Sequence, residues 1–141
     1  MTSVQFFHGA PDRLMAAATW LRKTYDAGRK VIVYVPDRET ADRFDRLLWT
    51  QPATDFLPHC GAASSLAGET PILLAAQLDG FAPESRVLNL SNEVPPGFEG
   101  FDKLVEIVSV DDAVRLPARD RFRHYRDQGH APASADFSTL Q

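Results

Sequence analysis

The chain has 141 residues, of which 44% are hydrophobic and 24% charged, with a formal net charge of -4. That is one globular domain's worth of ordinary composition, which excludes whole-chain disorder and leaves no room for a second domain. The acidic balance disfavours a protein that holds nucleic acid by broad phosphate contact.

Val4 to Phe7 reads as a first strand, and Ala10 to Tyr25 as a helix with Leu14, Ala17, Ala18, Leu21 and Tyr25 at helical spacing. Gly28 stops that helix. Lys30 to Val35 is a continuous apolar strand, as expected where both faces of a parallel sheet are buried. Asp37 caps a second helix from about Arg38 to Trp49, with Ala41, Phe44, Leu47 and Leu48 on one face. Thr50 to Gly68 is irregular, with an apolar island at Phe56-Leu57-Pro58. Pro71 to Ala76, Arg86 to Leu90 and Leu104 to Val110 read as further strands, and Val94 to Phe101 as a surface loop. A last helix runs from near Asp111 to about Gln128, with Gly129 as its stop. The order predicts a single α/β domain over residues 1–129, a mostly parallel central sheet flanked by helices on both faces. Residues 130–141, rich in Ala, Pro and Ser, are expected to fray.

No apolar run is long enough to span a bilayer, and the start carries no basic, apolar leader. The lone Cys60 cannot close an internal disulfide, so the expected setting is the reducing cytoplasm. Charge is unevenly spread. Arg115, Arg119, Arg121, Arg123 and Arg126 all fall in one late segment, while the body before Asp111 is acidic. Such a segment is either a solvated helix face or a patch for a small acidic partner.

The elements of catalysis are missing from the pattern. There is no P-loop, and Phe7-His8-Gly9-Ala10-Pro11 lacks the glycine fingerprint of a dinucleotide turn. His8, His59, His124, His130 and Cys60 show no spacing that shares a metal ion. Ser64, Ser65 and Cys60 lack a nucleophile elbow or a comparable signature. The carboxylate pairs Asp42/Asp45 and Asp111/Asp112 fit a helix surface and a helix N-terminus. No catalytic residue, metal or cofactor is therefore expected. The competing reading is a small α/β enzyme that acts on an acidic or phosphorylated metabolite through the arginines of the last helix. Trp49 and Phe56 lie at element ends, where a large aromatic is either a core cap or an interface anchor.

Several runs together resemble one family. They are Glu39 to Trp49 ending in Leu-Trp, Phe56-Leu57-Pro58-His59, Leu66-Ala67-Gly68-Glu69, Gly28-Arg29-Lys30-Val31, and Ala118 to Arg126. The sequence is similar to the chi subunits of bacterial DNA polymerase III over nearly its whole length. The resemblance implies an α/β, non-enzymatic member of the clamp-loader assembly. It implies one surface for the small psi subunit, carried here by Trp49 and Phe56. It implies a second surface for the acidic, phenylalanine-ended tail of single-stranded DNA-binding protein. That tail site maps onto Arg115, Arg119, Phe122 and Val108, with Arg115 in place of a lysine and Phe122 in place of a tyrosine. The four-and-three spacing of Arg115, Arg119 and Phe122 puts them on one helical face. Pro117 between them predicts a late start or a kink. Strong direct DNA binding is not expected.

Overall fold

The computed structural model describes residues 2–24, 30–50, 59–61 and 70–140. They form one seven-stranded sheet and three α-helices. In chain order the elements are β1 (Ser3–Ala10), α1 (Arg13–Thr24), β2 (Val31–Tyr34), α2 (Arg38–Trp49), β3 (His59–Gly61), β4 (Ile72–Ala75), β5 (Arg86–Asn89), β6 (Lys103–Ser109), α3 (Asp112–Asp127) and β7 (Ala133–Asp136). The strand order is β3-β4-β2-β5-β6-β1-β7, and every pairing is parallel.

Burial on both faces explains the apolar runs. All four residues of β2 are buried, and so are six of the seven in β6. Alternate residues feed two cores. On one face Val31, Val33, Val105 and Ile107 meet Ala17, Trp20 and Leu21 of α1 and Phe44 and Leu48 of α2. On the other, Phe6, Ile32, Val87 and Leu104 meet Ala118 and Tyr125 of α3, with Phe98 and Phe101 of the segment before β6. Helices thus cover both faces, as the sequence predicts.

Each helix starts on an aspartate. Asp12 accepts from the Met15 N–H at 3.0 Å, Asp37 from the Thr40 N–H at 3.0 Å, and Asp111 from the Ala113 N–H at 3.3 Å. Each carboxylate satisfies a donor with no partner inside the helix. The first helix begins three residues later than periodicity predicts, because β1 runs on to Ala10 and Pro11 and Asp12 supply the turn and the cap. Within β1 the register against β6 shifts between Phe7 and Ala10, where Gly9 takes φ 78°. Tyr25 and Gly28, and the expected stop there, lie outside the described residues.

Three expectations fail here. Val94 to Phe101 is not a surface loop throughout, since Phe98 and Phe101 are buried and Phe98–Gly100 forms a 3-10 turn. Within the irregular stretch His59–Gly61 pairs with β4 as a three-residue edge strand, too short to leave a periodic signal. The frayed tail is also wrong. Ala133–Asp136 pairs in parallel with Gln5–His8 of β1, and Phe137 is buried in the core under α1. The strand is held by backbone pairing and one aromatic anchor, so its small side chains gave no alternation to read.

Candidate functional site

α3 lies across the sheet face formed by β1 and β6, and a buried polar cluster fixes it there. Glu106 of β6 is 0% exposed and Arg121 of α3 is 3% exposed. Arg121 donates from Nε to Glu106 Oε2 at 3.0 Å and from Nη2 to Oε1 at 3.1 Å. Tyr125 donates to Oε2 at 2.6 Å and Asn89 Nδ2 to the same oxygen at 2.9 Å. Burial, then the neighbouring Glu106 charge, push the Tyr125 phenol well above its usual range, so it stays a donor. A buried carboxylate this well supplied tolerates its charge, and the bidentate fork sets the rotation of α3.

That rotation turns a second stripe of α3 toward the edge formed by β1 and β7. Arg115, Ala118, Arg119 and Phe122 line a cavity of about 200 Å³. Its other walls are Phe6 and His8 of β1, Val108 of β6 and Ser134 of β7. The floor is apolar: Val108 is 6% exposed, and the Phe6 and Phe122 rings meet edge to face at 5.1 Å. The mouth is cationic. The four residues assigned from the sequence therefore surround one cavity.

Pro117 neither delays nor interrupts α3, which is continuous from Asp112. Val114 and Arg115 donate their N–H groups to the Asp111 carbonyl at 3.0 and 2.8 Å, so Arg115 sits in a formed turn.

The arginine segment is less uniform than its composition. Arg121 is buried and committed to Glu106. Arg115 contacts Asp112 at 2.6 Å, Arg123 contacts Asp120 at 3.7 Å, and Arg126 contacts Asp127 at 3.5 Å. Among the described residues Arg119 has no carboxylate within ion-pair distance, and it lines the cavity.

His8, Phe6 and Ser134 were missed as site residues. Phe6 and His8 carried a signal, since they continue the alternation of Val4 on β1. Ser134 carried none, because its strand was not foreseen. At the rim the Nδ1 of His8 stands 4.0 Å from Asp136 Oδ2. Backbone and side-chain hydrogen bonds from Ser138 hold the Asp136 carboxyl below its usual range.

A larger cleft of about 740 Å³ opens elsewhere, where β1, β2, β5 and β6 end. Asp12, Asp37 and Asp111, the caps of the three helices, all line it. Each places a carboxylate at a helix N-terminus, where the backbone favours negative charge. Arg13 also lines the cleft, its guanidinium donating to the carbonyls of Ile107, Asn89 and Ser91 at 2.8–3.2 Å. Burial lowers its pKa to about 10. Among the described residues no group of three His, Cys, Asp or Glu side chains could hold a metal ion. No helix there is long and apolar enough to cross a membrane.

Trp49 ends α2 with 58% of its surface exposed. Its ring lies 5.1 Å from that of His59. Phe56, assigned to the same surface, lies outside the described residues.

Comparison with known proteins adds an independent line. The family model for the DNA polymerase III chi subunit, HolC, matches residues 1–133. The chain is 30% identical over 118 residues to DNA polymerase III subunit chi of Pseudomonas aeruginosa, spanning 84% of this chain and 82% of that one. It is 28% identical over 104 residues to the Escherichia coli subunit, spanning 73% and 71%. Among solved structures, the C-terminal domain of S. cerevisiae Dbp5 matches 97% of the chain and 90% of its own length. The TM-score is 0.67 at 9% identity, a likeness of fold alone.

Proposed function

The chain belongs to the DNA polymerase III chi subunit family, and we propose that it works there as a non-catalytic adaptor whose α3 cavity takes the acidic C-terminal tail of single-stranded DNA-binding protein. The observation that carries this reading is the pairing of an apolar cavity of about 200 Å³ with arginines at its mouth. A terminal phenylalanine seeks an apolar hole with an aromatic wall, which Val108, Phe6 and Phe122 supply. Its α-carboxylate seeks a guanidinium, and Arg119 has no competing carboxylate among the described residues. Acidic residues upstream in the tail would be met by Arg115, once it leaves Asp112.

The exposed Trp49 is proposed as an anchor for the psi subunit. A large exposed indole at a helix end supports a partner surface, where tryptophan is enriched.

The test is recovery of partners from a native extract with the intact chain. Single-stranded DNA-binding protein should be recovered, together with polymerase subunits, and an Arg119→Ala chain should lose the former and keep the latter. Naked single-stranded oligonucleotide should bind weakly, because an acidic protein releases few counterions. Recovery of neither class of partner would overturn the adaptor reading.

A further inference from the structure

The last turn of α2 meets the edge of the sheet at one imidazole. His59 is the first residue of β3, which pairs with β4, and its side chain is 0% exposed. Its Nε2 stands 3.2 Å from Asp45 Oδ1. Its ring lies 5.1 Å from the Trp49 ring, with the planes inclined at 57°. Asp45 and Trp49 are four residues apart, so they are neighbours on one face of the helix. Both side chains lie against the same ring, a carboxylate oxygen near its Nε2 and the indole at ring-contact distance.

This matters because Trp49 is the last helical residue. A helix end frays, and an exposed indole there has rotamers to lose when a partner orders it. A buried ring carried by a sheet strand, with a carboxylate oxygen near its Nε2 and the indole against it, removes that freedom in advance. The helix is further closed by Thr50, whose N–H donates to Arg46 and Leu47 and whose hydroxyl donates to Leu47 at 2.8 Å.

We propose that His59, held by Asp45, is a positioning residue that seats the Trp49 indole in a binding-ready orientation. The partner half of this inference rests on Trp49 being the psi anchor. The seating half stands on the geometry alone.

The experiment uses the full chain with His59→Ala, His59→Phe and Asp45→Asn, each also made with Trp49→Phe so that the Trp20 signal can be subtracted. Iodide quenching and anisotropy of the Trp49 emission read its seating, and titration with purified psi subunit reads the interface. His59→Ala should raise the quenching constant about twofold and weaken psi by about three- to tenfold, the size of one aromatic contact. Asp45→Asn should move both readouts the same way by less, and His59→Phe, which keeps a ring, should restore much of the effect. Unchanged quenching and anisotropy in a folded His59→Ala chain would overturn the proposal. If that chain does not fold, an Asp45→Asn chain with unaltered Trp49 emission overturns it instead. Wild-type psi affinity in Trp49→Ala would remove psi as the partner, and the quenching series would still decide the seating.

Discussion

Replacing Arg119 by alanine is the sharpest perturbation of the proposed tail site. The guanidinium is exposed at the mouth of the α3 cavity and has no ion-pair partner among the described residues, so its removal frees no buried charge. A hydrogen bond to a charged group contributes about 1.5–3 kcal/mol. Solvent screening at an exposed site favours the lower half of that range. The tail should therefore bind roughly tenfold to fortyfold more weakly. Arg115→Ala should cost less, because Arg115 must first leave Asp112, which it contacts at 2.6 Å. Asp112→Ala should tighten binding slightly for the same reason. Titration of a labelled acidic peptide ending in phenylalanine, at two salt concentrations, measures all three. The Arg119→Ala loss should shrink as salt rises. Unchanged affinity for a folded Arg119→Ala chain would refute the site, as would a larger effect from Arg115→Ala.

Phe122→Ala should weaken the same peptide without altering its salt dependence, since it removes a ring packed 5.1 Å from Phe6 and no charge. Glu106→Ala should destabilise the chain by about 3–5 kcal/mol in urea titrations, because it strands the buried Arg121 cation. Paired loss of Glu106 and Arg121 to apolar residues should cost less than the single change. The Tyr34 phenol is pushed from 10.0 up to about 12, first by burial and then by its hydrogen bond to Glu93. Folding keeps that proton longer than the unfolded chain does, so its contribution is complete below pH 10.0 and lost as pH rises through about 12. Tyr34→Phe should flatten that part of a stability–pH curve measured by chemical denaturation.

Much of the architecture was legible because burial on both faces leaves continuous apolar strands. Lys30 to Val35 and Leu104 to Val110 were readable in that way, the second despite Glu106, and so was the helix capped by Asp37. The elements that escaped are edge strands. His59–Gly61 has three residues, and Ala133–Asp136 is made of small and polar side chains stabilised by the pairing of its backbone with β1. The α3 half of the cavity was readable from helical spacing, since Arg115, Arg119 and Phe122 had to share a face. The β7 wall was not readable, because a strand without alternation leaves no trace. Arg121 was the misleading residue. Composition counts it with four surface arginines, yet its place is set by Glu106, fifteen residues earlier on a different element. Charge counting cannot see a partner across the sheet, whereas the position of Glu106 between Val105 and Ile107 in an apolar strand was a visible oddity.

The most direct test of the central claim is calorimetric titration of the wild-type chain with two acidic peptides, identical except that one lacks its terminal phenylalanine. The complete peptide should bind at a single site, and the truncated one at least tenfold more weakly, the scale of one buried aromatic side chain. Equal affinity for the two peptides, or none for either, would contradict the assignment of the α3 cavity to the tail.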